Sequence, residues 1–447
     1  MQELELDDIQ GLVLTHRPSP YWGTFTYLRF DTAAGGRAFI SVVLPEVSST
    51  AHVRESDRDG WVGLCFTYSG LAALGLPDSV LTTFPENFRV EMAKRAQFMG
   101  QVGASDPSKW DAPYGSGQLH ACVVLVCSEE QQWHDRSASL KAAIGRVDGV
   151  TVLGSLDHAQ APDGKAPFGY ADGISLTPIE GSGIDPVPGA GTPIKAGEMI
   201  LGYDGEAGYP LPAPSPDVLG RNGTFLAVLK FQTKDAEFRQ FLRANATDPQ
   251  DEELLAAKLC GRWRSGAPLA LSPDADDPSL ASDPQRRNSF DYSDDPMGFN
   301  VPLGAHIRRV NPRASDVKTL VDVRQHRVIR HGFTYGEPLA PDVLEDDGAD
   351  RGMYFIFASA KAPSTLEFLM TQWLNDGNFA GLSDEQDPIA GSNDGTGHFT
   401  IPRKPIRRRL QGLTRFTILR GGEYMFAPSL TALKWLSEGH SHESPAH

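Results

Sequence analysis

The chain has 447 residues, with 57 acidic against 41 basic side chains and a formal net charge of -16. That balance argues against general nucleic-acid binding, which needs a basic face. No uninterrupted apolar run is long enough to span a bilayer, and at roughly 100–200 residues per domain the length predicts two to three domains with room for an internal cavity.

The N-terminal stretch MQELELDDIQ is acidic and shows neither an apolar h-region nor a twin arginine, so no secretory signal is visible in it. GTFTYLRF, residues 23–30, reads as a strand rich in aromatic and aliphatic side chains. ACVVLVC, residues 121–127, reads as a buried strand and carries Cys122 and Cys127. With Cys65 and Cys260 these make four cysteines, none in a C-x-x-C or other zinc spacing. Free buried thiols in a reducing cytoplasm are the simplest reading. Next comes FGYADGIS, residues 168–175, where Gly169 and Gly173 flank an aspartate and permit a tight turn. The Gly- and Pro-rich stretch at 179–198 has no periodicity and reads as an inter-domain connection. Its GSGIDP lacks the third glycine and the helix of a dinucleotide fingerprint.

GTFLAVLKF, residues 223–231, echoes the first strand 200 residues later and leads into TKDAEFRQFLRANA, with apolar residues at helical spacing. The echo points to two related α+β halves, against a chance similarity of two strands. Residues 271–300 are irregular and long for a loop inside a compact domain, which favours a functional or surface role. Three chemically loaded stretches follow: NVPLGAHIRRVNPR at 300–313, VIRHGFTYG at 328–336 and RGMYFIFAS at 351–359. The tail SEGHSHESPAH is polar and reads as frayed, which outweighs weak metal binding by His440, His442 and His447.

Taken singly, the candidate residues have plain alternatives. His306 is one of twelve histidines and could be a surface residue. Asp172 could belong to an ordinary Asp-Gly turn. Arg330 could be one member of a basic strand, since Arg324, Arg327 and Arg330 recur at a spacing of three.

Jointly, G-x-x-D-G at 169–173, A-H-I-R-R-x-N-P-R at 305–313 and R-H-G-x-x-Y-G at 330–336 resemble the dye-decolourising peroxidases. DDIQGLVL, FTYSGLAALGLP, GRWRSGAPL, RGMYFIFAS and LRGGEYMFAPSL extend the resemblance over nearly the whole chain. G-x-x-D-G alone is weak, but the order and joint presence of the segments are specific. Length and insertions are similar to those of the larger-chain subgroup. The resemblance implies an α+β fold of two ferredoxin-like domains, each an antiparallel sheet with helices. Residues 1–190 would carry the G-x-x-D-G motif, and residues 191–447 would bind one haem b per chain.

Within that resemblance His306 is the haem-iron ligand, Asp172 the acid/base over the opposite face, and Arg330 the cation that holds developing charge. Met353 and Phe355 line the same face. At least one of Arg308, Arg309 and Arg313 pairs with a haem propionate. Asp387, in DPIAG, is a candidate acceptor for the second imidazole N–H of His306, with a loop carboxylate as its alternative. The implied activity is reduction of hydrogen peroxide with oxidation of dyes and phenols through a ferryl–porphyrin radical. A haem-handling protein that carries haem or releases its iron is the alternative. Trp373 and Tyr335 resemble positions that pass electrons to bulky donors near the surface, with core packing as the competing role. No nucleic-acid or membrane partner is expected, the oligomeric state is open, and the expected location is cytoplasmic.

Overall fold

The structure is a computed structural model and describes residues 3–56, 60–174, 177–184, 186, 191–313 and 322–439. Ser175, the expected domain boundary at 190/191 and the tail histidines His440, His442 and His447 lie at or outside the edges of these residues. Among the described residues no helix is long and apolar enough to cross a membrane.

Four strands occupy the first half: β1 (Trp22–Phe30), β2 (Trp61–Phe66), β3 (Ala121–Cys127) and β4 (Val150–Ala159). The second half supplies β5 (Thr224–Thr233), β6 (Ile329–Tyr335) and β7 (Gly352–Ser359), then β8 (Gly397–Ile401), β9 (Arg408–Leu413) and β10 (Thr417–Ala427). Eight strands form one sheet in the order β4-β1-β3-β2-β10-β5-β7-β6, and β8 pairs with β9 as a separate ribbon. Within each half the order is fourth, first, third, second, the ferredoxin-like arrangement, and the β8–β9 ribbon is inserted before the last strand of the second half. The two echoing segments are thus the first strands of two topologically equivalent units.

Neighbouring strands are antiparallel throughout the sheet. Every residue of β3 is buried, which explains its unbroken apolar run: both faces of the sheet are covered. The sheet also curls. Phe25 on β1 stacks on Tyr354 of β7 at 5.2 Å and meets Phe333 of β6 edge-on at 5.6 Å. Thr334 Oγ1 on β6 donates to the carbonyl of Ala159 on β4 at 2.5 Å, bringing the outer strands together. One face therefore encloses an aromatic interior, and the other is packed by helices, among them Ala33–Val43, Glu130–Ile144, Ala362–Phe368 and Leu430–Glu438.

The two halves join where β2 meets β10, through the register pair Phe66–Phe426. Gln10, buried just before the first helix, supplements this seam. Its Nε2 donates to the carbonyls of Leu64 (2.8 Å) and Pro428 (2.7 Å), and its Oε1 accepts from Leu64 N at 2.9 Å. This gives the DDIQG segment a physical task. A buried group left without a partner costs ~1–3 kcal/mol, so Gln10→Leu is expected to destabilise the chain by at least ~2 kcal/mol. The measurement is a lowered urea midpoint with an unchanged slope; an unchanged midpoint would show that the seam does not depend on Gln10.

Candidate active site

A cavity of about 290 Å3 lies against the helix-covered face of the second half. Alternation along the strands supplies one wall: Leu229, Phe231 and Thr233 from β5, and Met353, Phe355 and Phe357 from β7. Gly332 of β6 lies level with Phe355, and a Cβ there would come within 3.1 Å of Met353 Sδ, so its lack of a side chain keeps this wall flat. The opposite wall comes from the helix His306–Val310 and from Leu366, Met370 and Leu374.

His306 opens its helix and lines the cavity. Its Nδ1 lies 3.0 and 3.1 Å from the two carboxylate oxygens of Asp387. Asp387 is fully buried and also accepts from the backbone N–H groups of Ile389 (2.9 Å) and Ala390 (2.7 Å). Burial pushes its pKa up, but the His306 ring, Arg309 and the N–H donors outweigh that, and the net shift is downward. With Asp387 ionised the imidazole proton sits on Nδ1, and the Nε2 lone pair is left for an axial ligand bond. The depressed pKa means that this pair stabilises the fold above about pH 4 and loses that contribution as pH falls through the folded-state value.

Arg330 projects from β6 and shows accessible surface although protein surrounds it, because that surface faces the cavity. Burial lowers its pKa, while Asp172 acts in the other direction. Three more arginines line the cavity: Arg262, Arg313 and Arg327. Burial, then the charge of Arg313, pushes Arg262 down to about 10. Burial and the neighbouring charges of Arg313 and Arg330 push Arg327 down to about 9. Among the described residues, Arg262, Arg327 and Arg330 make no ion pair with a carboxylate. Arg313 sits at a φ of 53°, a left-handed conformation unfavourable for a residue with a Cβ. Its guanidinium is fixed by the carbonyls of Asn288 (3.1 Å) and Phe290 (2.7 Å) and lies 3.9 Å over the Phe290 ring. Tyr292 also lines the cavity, and its buried hydroxyl has no partner among the described residues. A flat apolar slot with a free imidazole nitrogen, surplus cations and an orphaned hydroxyl fits a planar dianionic metal macrocycle.

Asp172 lies on the loop after Gly169, with Gly169 and Gly173 at φ values of 83° and 69°. It does not itself line the cavity, although Phe168 and Tyr170 do. One carboxylate oxygen accepts from Gly173 N at 2.6 Å and the other from the Arg17 guanidinium.

The structure places the remaining candidates as follows. Arg308 and Arg309 do not reach the cavity. Arg308 Nη1 bonds the carbonyl of Val301 at 2.7 Å and Asp295 at 3.3 Å, and its guanidinium lies over Tyr292. Arg309 donates to the carbonyls of Trp373, Glu385 and Asp376 and is completely buried. Of the trio only Arg313 lines the cavity. Trp373 and Tyr335 are not near the surface: they are 2% and 6% exposed. Trp373 packs edge-on to His326, which lines the cavity, at 5.7 Å. Tyr335 donates to Asp350 at 3.1 Å and to the carbonyl of Phe231 at 3.2 Å. His331, adjacent to Arg330, faces the sheet interior beside Trp61, and burial lowers its pKa to about 3. Sequence reasoning missed Arg262, Arg327 and Tyr292. Arg262 was within reach, because GRWRSGAPL carries the resemblance; Tyr292 sits in the irregular 271–300 stretch and has no local signal.

No family model matches the chain. Peroxidase 2 of Mycetinis scorodonius is 31% identical over 96% of this chain and 87% of its own length. A solved dye-decolorizing peroxidase in complex with 2,6-dimethoxyphenol superposes with a TM-score of 0.84 at 27% identity, over 97% of this chain and all of that one (100%). A deferrochelatase of Yersinia pestis is 27% identical, but over only 31% of this chain and 25% of its own.

The imidazole anchor is testable without turnover. Asp387→Asn keeps the shape and removes the charge on His306 Nδ1. Loss of such an outer partner weakens metal binding by ~10–100-fold, so titration of the apo-chain with ferric protoporphyrin should show weaker capture of that order. Unaltered affinity would mean that the helix alone orients His306.

Proposed function

Since the chain belongs to the dye-decolourising peroxidases, we propose that His306 would ligate the haem iron and that Asp172 and Arg330 would act on peroxide. The enzyme is a haem peroxidase. The observation that carries the residue assignment is the His306–Asp387 pair, which leaves one imidazole nitrogen for a cavity also lined by Arg262, Arg327 and Arg330, none ion-paired with a carboxylate among the described residues. One haem b per chain fits the single large slot. Division into residues 1–190 and 191–447 fits the two four-stranded units, with the 166–173 loop reaching across to the second. Four free thiols favour a reducing, cytoplasmic setting.

Bound haem supplies the electron transfers to peroxide and from donors. The chain's own residues do the rest. Asp387 keeps the His306 ring basic and fixed. Arg262, Arg313, Arg327 and the Tyr292 hydroxyl hold the propionates. Asp172 takes a proton from one peroxide oxygen on its carboxylate and returns it to the departing one. Arg330, always charged, holds the negative charge that develops between them. Met353 and Phe355 exclude water and strengthen that electrostatic effect. Hydrogen peroxide is the oxidant, and phenols of the size of 2,6-dimethoxyphenol and organic dyes are the donors. Trp373 and Tyr335 remain the relay residues of this reading, with further exposed groups needed to meet a bulky dye.

Three variants test the assignment. His306→Ala should lose the histidine-ligated ferric spectrum. Asp172→Asn and Arg330→Leu should retain haem but react with peroxide more slowly, by ~10²–10³-fold for loss of one charge-stabilising donor, and the two losses should not add. Stopped-flow rates equal to wild type in both would remove Asp172 and Arg330 from the mechanism. A second, separate expectation concerns the relay. Trp373→Phe with Tyr335→Phe should lose activity on a bulky dye and keep it on a small phenol; equal kinetics on both donors would exclude that route.

A further inference from the structure

We propose that Arg17 is a positioning residue for the peroxide reaction, acting through Asp172; the inference rests on the Asp172 role assigned above. Arg17 belongs to the N-terminal segment, far in sequence from every motif of the site, and its guanidinium is held on three sides. Its Nε donates to the carbonyl of Gly332 at 2.6 Å. Its Cζ lies 4.0 Å over the ring of Tyr21. Tyr21 is itself fixed, since its hydroxyl accepts from Thr334 N at 2.8 Å and lies 2.9 Å from Thr334 Oγ1. Nη1 donates to the Pro18 carbonyl at 3.4 Å, and Nη2 donates to Asp172 Oδ2.

Gly332 is two residues beyond Arg330 on the same strand. β6 therefore helps to place two cations: Arg330 as one of its own residues, and Arg17 through a backbone carbonyl. The ion pair is not a loose surface contact. The Arg17 side chain is 10% exposed and that of Asp172 22%, so water screens the pair weakly and the charged hydrogen bond fixes direction as well as distance. Among the described residues, Asp172 is otherwise held only by its own neighbour, Gly173 N, on a glycine-flanked loop. Without Arg17 the loop would leave the carboxylate free to turn. A misplacement of about 1 Å in a reacting group costs up to ~10²-fold in rate.

The experiment uses the haem-loaded chain and four variants: Arg17→Leu, Arg17→Lys, Asp172→Asn and the double Arg17→Leu/Asp172→Asn. Stopped-flow mixing gives the second-order rate with peroxide, and a second mixing with a small phenol gives the donor step. Unfolding midpoints of the apo-chains give a double-mutant cycle independent of turnover. Arg17→Leu should slow the peroxide step by roughly 10–10²-fold and leave the donor step at the wild-type rate. Arg17→Lys should recover part of the loss, because the charge returns without the fork that reaches Gly332. In the Asp172→Asn background Arg17→Leu should add little to either the rate or the midpoint. A slow Asp172→Asn beside a wild-type-fast Arg17→Leu would overturn the proposal alone, as would an equal Arg17→Leu penalty in both backgrounds. A wild-type rate in Asp172→Asn would overturn the Asp172 assignment and this proposal with it.

Discussion

Burial of both faces of one antiparallel sheet is the constraint on which the remaining structure depends. Side chains alternate along a strand, so each strand of the second half divides its residues between two environments. On β7, Tyr354, Ile356 and Ala358 enter the closed aromatic interior, while Met353, Phe355 and Phe357 form the cavity wall. A slip of one residue would exchange the two sets. The same alternation on β6 sends His331 and Phe333 inward and Arg330 outward. The cavity is therefore not carved from the fold afterwards. It is one face of the sheet, left uncovered where the helices stand off.

Charge is distributed against the trend of the whole chain. The protein carries a net -16, yet its one large cavity among the described residues gathers Arg262, Arg313, Arg327 and Arg330. A buried cation without an acid partner is costly, and Arg262, which has no carboxylate partner among the described residues, answers part of that cost with neutral oxygens. It donates to the carbonyls of Gly266 (2.8 Å) and Arg287 (2.9 Å) and to Asn288 Oδ1 at 2.7 Å. These carbonyls and the amide satisfy its donors and leave its charge uncancelled. A site that kept its positive charge for a dianionic cofactor would be built in this way, because internal carboxylates would compete with the ligand.

Much of the fold was legible locally. The runs at 23–30, 121–127 and 223–231 declare themselves as strands because packing on both faces makes them rich in aromatic, aliphatic and β-branched residues, and in the case of 121–127 unbroken in apolar ones. The curl and the Phe66–Phe426 seam were not legible, since they depend on contacts hundreds of residues apart. At the candidate site, His306, Arg330, Met353 and Phe355 line one cavity, and Asp387 lies against His306 Nδ1. Of the three arginines after His306, Arg313 lines the cavity, while Arg308 and Arg309 on the short helix are buried against protein carbonyls. Tyr292 and Arg17 carry no periodic signal, because loop packing alone brings them in.

The two aspartates of the proposed site have different surroundings, and these suit the different tasks proposed for them. Asp387 is fully buried, with the imidazole across both oxygens and two backbone N–H groups on Oδ1. Protonating it would strand donors that have no water to turn to, so it suits an anchor. Asp172 is partly exposed, with one backbone donor on Oδ1 and one guanidinium on Oδ2. A carboxylate offers about four acceptor positions, so among the described residues Asp172 keeps acceptor positions open while Arg17 and Gly173 N fix its plane. Fixed orientation with spare acceptor capacity is what proton transfer between two oxygens of one small molecule requires. The difference between a structural and a working carboxylate thus lies in how many of its lone pairs the fold leaves unclaimed.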